Sequence, residues 1–253
     1  MKVIRLILLS FIFFTSFNTF SHNPEDFMIA EIERGQMYFE NEEIAAEYGA
    51  ALKRQRIRRL AAMPFYKKFY IFVKAGFVHI IPQGIDHILF VLGLFFSCLT
   101  FRTLLWQVTA FTFAHSLTLI LAAQGIVQLR GDIVEAIIAL SIVWVAVENV
   151  LYKETSKWRY SIVFAFGLLH GLGFAALLTQ YGLPKDNFIS MLLAFNIGVE
   201  FGQLAVLFLA FVLIKLILKK NWYVNEIKIP ASISIAAVGL FWFVERVIFL
   251  YSN

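Results

Sequence analysis

The chain has 253 residues, of which 60% are hydrophobic and only 15% are charged. Such a composition is too apolar for an ordinary soluble domain, so we predict an integral membrane protein in contact with lipid. The formal net charge of +5 is modest and its basic residues lie mostly at the ends of apolar runs, which excludes nucleic acid as an expected partner. The single cysteine, Cys98, has no second cysteine with which to form a disulfide.

Residues 1–21 have the layout of a secretory signal peptide. Two basic residues come first, an apolar run covers residues 6–17, and polar residues precede a predicted cleavage after Ser21. A retained signal anchor is the alternative, because Thr19 and Phe20 make a poor small-residue cleavage site.

Residues 22–70 form the only extended polar region, which we predict to be an extracytoplasmic charged helical segment. Eight acidic residues lie within 25–47, and seven basic residues lie within 53–68. The stretch 42–60 has apolar residues at spacings that indicate a helix. Such a helix rests on an anionic membrane surface, or it is solvated with its charge blocks paired, and both interpretations stay open.

Residues 71–253 are predicted to be an all-α bundle of six membrane spans. Each apolar run except the first is about 20 residues or longer, which matches a hydrocarbon thickness of ~30 Å at 1.5 Å per residue. The first run is interrupted at Pro82 and Gly84, so it forms one kinked span or a re-entrant piece followed by a helix. The runs cover residues 69–99, 104–123, 133–152, 162–181, 188–218 and 229–251.

The basic residues of the short loops predict the orientation of these spans. Eight lie on one side and two on the other, and loops rich in Lys and Arg stay in the cytoplasm. Residues 22–70 and the C-terminus are then extracytoplasmic, which agrees with a signal peptide and with a bacterial inner membrane. The cytoplasmic set is Arg102, Lys153, Lys157, Arg159, Lys215, Lys219, Lys220 and Lys228, and the other set is Arg130 and Lys185.

Titratable side chains lie within or at the ends of the apolar runs, where lipid makes an unpaired ionisable group costly. Imidazole and carboxylate groups bind Ni²⁺, Co²⁺ or Zn²⁺, so we predict that these residues bind a divalent metal ion. The predicted ligands are His79, Asp86, His87, His115, His170 and Glu200. Asn196, Gln203 and Ser116 are expected to support them, although hydrogen bonding between helices without a metal is the alternative for such residues.

Asp86 and His87 are adjacent, so on a straight helix their side chains diverge by about 100° and cannot both face one point. Either Asp86 supports a neighbouring ligand, or the break at Pro82 and Gly84 distorts the start of the helix. Asn196, Glu200 and Gln203 are spaced so that they share one helix face.

Five stretches of the membrane region are similar to the HupE/UreJ family of bacterial membrane proteins. They run in order through residues 76–210 and read GIDHILFVLGL, TAFTFAHSLTL, VEAIIALSI, FGLLHGLGFA and FNIGVEFGQL. The resemblance implies secondary transport of nickel or cobalt. His79, Asp86 and His87 match the first-helix motif of such permeases in residue type, with a longer spacing, and His170 alone stands for the second motif.

We therefore predict secondary transport of a divalent transition-metal ion, nickel or cobalt in the first place, across the inner membrane. A zinc-dependent intramembrane hydrolase would use the same residue types, with three histidines on the metal and a carboxylate acting on the bound water. A structural protein whose polar residues only join helices is a third hypothesis. A homo-oligomer is compatible with each of them.

Overall fold

A computed structural model describes residues 42–127, 129–152, 158–181, 187–217 and 223–252. Within these ranges the chain is helical and contains no strand, which confirms the all-α prediction for this part of the chain. The predicted signal peptide, residues 1–21, lies outside the described residues. The helices are α1 (Glu42–Ala62), α2 (Phe65–Ile80), α3 (Ile85–Ser97), α4 (Phe101–Ala123), α5 (Gly131–Leu151), α6 (Arg159–Tyr181), α7 (Phe188–Ile217) and α8 (Ile229–Ser252), and a π-helical segment (Tyr223–Lys228) precedes α8.

Among the residues that the structure describes, four helical stretches are long and apolar enough to cross a membrane, and the bent pair α2–α3 gives a fifth if it is one span. The four stretches are Phe101–Ala122, Gly131–Leu151, Phe188–Leu216 and Glu226–Tyr251. The remaining predicted span, 162–181, falls in α6, which has 23 residues but is not among these five. The chain is thus a helical membrane protein, while the count of six spans stays a prediction.

Proline separates the charged helix α1 from the membrane region. Helix α1 ends at Ala62, and Pro64 takes the N-cap position of α2, where the missing backbone N–H of a proline costs nothing. Because α2 starts at Phe65, the boundary predicted at residue 70 falls inside this helix. The division into a polar segment and a membrane domain itself stays a prediction.

The first apolar run is broken where the sequence predicts it. Helix α2 ends at Ile80, α3 begins at Ile85, and the two helices are bent by 69° at the break. Pro82 and Gly84 both lie in this break, so the prediction that they interrupt the run is confirmed. The last turn of α2 and the first turn of α3 therefore lie side by side.

Helix α3 is the centre of the bundle. Beyond Asp86 and His87 it is apolar up to Ser97, which is typical of a helix enclosed by others, and it packs mainly against α5 and α7. Its buried residues are His87, Ile88, Leu89, Phe90, Val91, Gly93, Leu94 and Phe95. The 13-residue length of α3 corresponds to about 20 Å, so it cannot span the hydrocarbon layer alone.

Small residues allow the closest helix pairs to pack backbone against backbone. The closest pairs are α4 with α6, α2 with α7, and α5 with α8. Gly198 of α7 faces the Val73 carbonyl of α2, and Gly76 of α2 faces the Phe195 carbonyl of α7, so that any Cβ at either position would collide with backbone. Such small-residue contacts are the usual basis of helix association in membranes.

A buried ion pair joins the end of α5 to the start of α6. The Arg159 guanidinium donates to the carboxylate of Glu148, and their side chains are only 2% and 10% exposed. The basic residue predicted for a cytoplasmic loop is therefore enclosed by protein. Removing either partner would leave an uncompensated buried charge, which is far costlier than losing an exposed pair.

Candidate functional site

Four histidines from four helices meet beside the break between α2 and α3. His79 lies in the last turn of α2, His87 in the first turns of α3, His115 in α4 and His170 in α6. We refer to these four residues as the histidine cluster. His87, His115 and His170 are buried, with exposed fractions of 3%, 0% and 1%.

His87 is the centre of this cluster, because its imidazole contacts each of the other three. Its ring centroid lies 4.9 Å from that of His79, 5.9 Å from His115 and 5.1 Å from His170. The His79 and His115 centroids are 6.5 Å apart. The structure therefore brings together all four histidines that the sequence predicts as ligands, although they are distant along the chain.

Two glycines bring the backbones close enough for these contacts. A Cβ at Gly84 would collide with the His79 carbonyl, so glycine permits the tight turn that places α2 beside α3. A Cβ at Gly171 would collide with the His115 carbonyl, so glycine also permits the close approach of α6 to α4. The glycine next to His170 thus sets the distance between two members of the cluster.

Aromatic rings separate the cluster from the rest of the core. Phe111 lies 4.9 Å from His170 and 6.2 Å from His115 between ring centroids, and it is fully buried. Phe90 lies 5.5 Å from His170. Apolar walls with a few convergent polar groups are typical of ligand sites, and they keep water from competing for those groups.

Hydrogen bonds orient two of the four imidazoles. Nδ1 of His87 lies 3.0 Å from Oδ1 of Asp86, and Nδ1 of His170 lies 2.9 Å from the carbonyl oxygen of Phe166. An ionised carboxylate and a carbonyl can only accept, so we assign the Nδ1 proton to both rings. Each Nε2 then carries the lone pair that a metal ion needs.

The uncommitted nitrogens of the cluster are enclosed by protein. Nε2 of His87, Nε2 of His170 and both ring nitrogens of His115 are buried without a hydrogen-bond partner. Leaving buried polar atoms without a partner costs free energy, which a bound cation would recover. A site with several such atoms in contact is therefore suited to taking up a positive ion.

The rings do not surround a common point. In the part of the chain that the structure describes, no three His, Cys, Asp or Glu side chains are grouped so that they could hold one metal ion. The His87 ring meets those of His79, His115 and His170 edge to face, at interplanar angles of 70°, 81° and 71°. Simultaneous coordination by these imidazoles requires their rings to turn.

A family model described as HupE / UreJ protein matches residues 54–246. The chain belongs to the HupE/UreJ family. The matched range contains all four histidines, Asp86 and Glu200, and it confirms the family that the sequence motifs indicate. No curated protein and no solved structure matches the chain.

The second polar group of this HupE/UreJ protein lies between α4 and α7. Thr109 Oγ1 donates to Glu200 Oε1 at 2.6 Å, and Thr112 Oγ1 donates to Gln203 Oε1 at 2.9 Å. Glu200 is half-buried, whereas Gln203 is fully buried. The carboxylate predicted as a ligand is thus engaged by a threonine six residues before His115.

Of the three residues that we predict to support the ligands, two make contacts within their own helix, and Gln203 accepts from Thr112 of α4. Asn196 Nδ2 donates to the Leu192 carbonyl and Ser116 Oγ donates to the Thr112 carbonyl, both within their own helices. Asn196 Oδ1 and Gln203 Nε2 are buried without a hydrogen-bond partner. The described hydrogen bonds of these three residues go to backbone carbonyls and to a threonine, and their predicted role stays a prediction.

Sequence reasoning did not single out Thr109, Thr112, Phe111 or the Phe166 carbonyl in this HupE/UreJ protein. Thr112 precedes His115 by three residues, so helical spacing was a usable signal that it lies near the same face, whereas Thr109, six residues before His115, is about 120° away around the helix. Phe166 precedes His170 by four residues, as any intrahelical acceptor would. Nothing in the sequence distinguishes Phe111 from the other 27 phenylalanines of the chain.

Proposed function

We propose that this protein carries a divalent transition-metal ion, nickel or cobalt in the first place, across the bacterial inner membrane. The HupE/UreJ family is associated with metal transport. The observation that carries the proposal is the histidine cluster, in which buried ring nitrogens without partners lie inside an apolar helix bundle. Imidazole nitrogen is a preferred ligand of nickel, cobalt and zinc ions.

Loose arrangement of the imidazoles favours transport over catalysis. A zinc hydrolase holds three ligands in a fixed geometry and keeps one position open for water. The described part of the chain contains no such preset trio, and the rings of the cluster have to turn to share an ion. A site that forms on binding releases its ion more readily than a rigid one, as passage through a membrane requires.

We also propose that the metal enters from the periplasm. The eight-to-two distribution of loop Lys and Arg residues supports a cytoplasmic position for Arg102 and Lys215, at the start of α4 and the end of α7. His115 lies in the second half of α4 and His79 contacts Phe195 in the first half of α7. Under this orientation the histidine cluster lies in the periplasmic half of the membrane.

Purified protein in lipid vesicles tests the proposal. A chelating fluorophore trapped inside the vesicles should report entry of Ni²⁺ or Co²⁺ in the presence of wild-type protein but not of the His170→Ala variant. Ser141→Ala is the matched control, because this buried hydroxyl only contacts the Ile138 carbonyl of its own helix. Tight stoichiometric zinc without metal entry would favour the hydrolase, and no bound metal would favour a structural role.

A further inference from the structure

Asn196 and Glu200 lie on one face of α7 by their spacing, and Thr109 of α4 hydrogen-bonds to Glu200, so that this group of side chains is chemically unlike the histidine cluster. We propose that this group is a second cation station, made of oxygen ligands, through which a metal ion passes after leaving the histidines. The inference rests on the proposed transport function and assigns Glu200 to a separate site rather than to the histidine site.

Contacts place the station next to the cluster but further along the bundle. Asn196 directly follows Phe195, whose ring centroid lies 5.6 Å from that of His79. Glu200 is four residues further along α7, and its partner Thr109 lies six residues before His115 in α4. At 1.5 Å per residue, Glu200 lies roughly 6 Å beyond Asn196 toward the Lys215 end of α7, and Thr109 lies roughly 9 Å from His115 toward the Arg102 end of α4. Under the proposed orientation both ends are on the cytoplasmic side.

Two features make the group receptive to a cation. Asn196 is 4% exposed, and its Oδ1 is buried without a hydrogen-bond partner. Glu200 shares a helix face with Asn196, and the Thr109 hydroxyl engages one of its carboxylate oxygens. A negative charge and an unpartnered acceptor on one face of a membrane helix are costly, and a cation between them relieves both costs.

Ligand chemistry gives the station a direction of transfer. Imidazole binds nickel and cobalt ions well, whereas carboxylate and carbonyl oxygens are better suited to ions such as Mg²⁺ and Mn²⁺. An oxygen station therefore holds the transported ion more weakly than the histidine cluster does. A weakly binding station on the cytoplasmic side lowers the energy barrier for release of the ion. The oxygen ligands replace the imidazoles as the ion leaves them, so that it does not enter an apolar region without ligands.

The test compares equilibrium binding with transport in Glu200→Gln, which keeps the side-chain size and removes the charge. We expect Ni²⁺ or Co²⁺ affinity, measured by titration of the protein in lipid nanodiscs, to change less than about threefold. Vesicle uptake should fall by about 10-fold or more, within the range seen when groups around a metal site are removed. Glu245→Gln is the matched control, because it alters a carboxylate that is 56% exposed on α8.

Each other outcome is informative. If Glu200→Gln abolishes binding as His170→Ala does, Glu200 is a ligand of the histidine site and the station is overturned. Unchanged uptake would overturn it as well, whereas a wild-type protein that neither binds nor carries metal would overturn the proposed function first. Thr109→Val serves as a second variant should Glu200→Gln not fold, and it should reduce uptake less while leaving binding unchanged.

Discussion

The carboxylate of Asp86 fixes the imidazole of His87, with Oδ1 and Nδ1 3.0 Å apart. The side chain of Asp86 is 33% exposed, whereas that of His87 is 4% exposed. The partly buried carboxylate therefore turns the Nε2 of its neighbour toward the other histidines. Of the two arrangements that the adjacent pair allows, this contact favours the one in which Asp86 supports the ligand beside it.

Replacing Asp86 by asparagine should weaken metal binding without abolishing it. An amide removes the negative charge beside His87, and it no longer requires the proton to stay on Nδ1. Loss of such a supporting carboxylate typically reduces metal affinity by about 10 to 100-fold. Titration of the variant in nanodiscs checks this value, and an affinity equal to that of wild type would show that the contact is structural only.

Alanine at His115 or His170 should abolish metal-dependent uptake, because each of these imidazoles contacts the central His87 and its removal leaves the proposed site one ligand short. Expression, membrane insertion and thermal stability are measured in parallel, since a cavity in the core also destabilises a protein. If both variants accumulate normally and carry metal at the wild-type rate, the histidines serve only packing.

Gly198→Ala should destabilise the bundle relative to Gly49→Ala. At Gly198 the new Cβ would collide with the Val73 carbonyl of α2, whereas a Cβ at Gly49 in α1 meets nothing within 4 Å. Both changes bring the same gain in helix propensity, so their difference measures the packing cost, about 1 to 3 kcal/mol for overpacking. Thermal unfolding in detergent gives the comparison, and equal stabilities would contradict the backbone contact.

The proposed orientation predicts where reporter fusions are active. A reporter that works only in the periplasm should be active after Asn253, and one that works only in the cytoplasm should be active at Lys220. The reverse pattern would invert the membrane topology and, with it, the proposed direction of metal entry.

Periodicity and composition predict the helical membrane fold because lipid leaves few alternatives for an apolar chain. The break at Pro82 and Gly84 is equally local, since both residues disfavour a continuous helix through their own covalent structure. Gathering of the four histidines is predictable in outline, because unpaired polar groups in a bundle need partners.

Partners that depend on the relative rotation of helices are not predictable from one sequence. Glu200 is engaged by Thr109 because α7 packs against α4 with these two side chains facing each other, and no local pattern specifies that packing. Arg159 carries the charge expected of a loop residue, yet Glu148 pairs with it inside the protein because α5 and α6 meet there. Gly171 could be recognised as small, but not as the residue that faces the His115 carbonyl.

Enclosure of α3 has a consequence for biogenesis. With 16 and 13 residues, neither α2 nor α3 reaches the ~20 apolar residues that let a segment settle in lipid alone, and the partners of α3 in α5 and α7 are synthesised later. We therefore expect α3 to reach its place only after α7 has entered the membrane. Cys98 directly follows α3 and is partly exposed in the full chain. Because α3 lacks its partner α7 in a chain that ends at Leu151, Cys98 should react faster with a thiol reagent in that shorter chain than in the full chain. Equal rates would mean that α5 alone already encloses α3. A faster reaction in the shorter chain would mean that α3 is enclosed only after α7 is made, so that the order of synthesis is not the order of assembly.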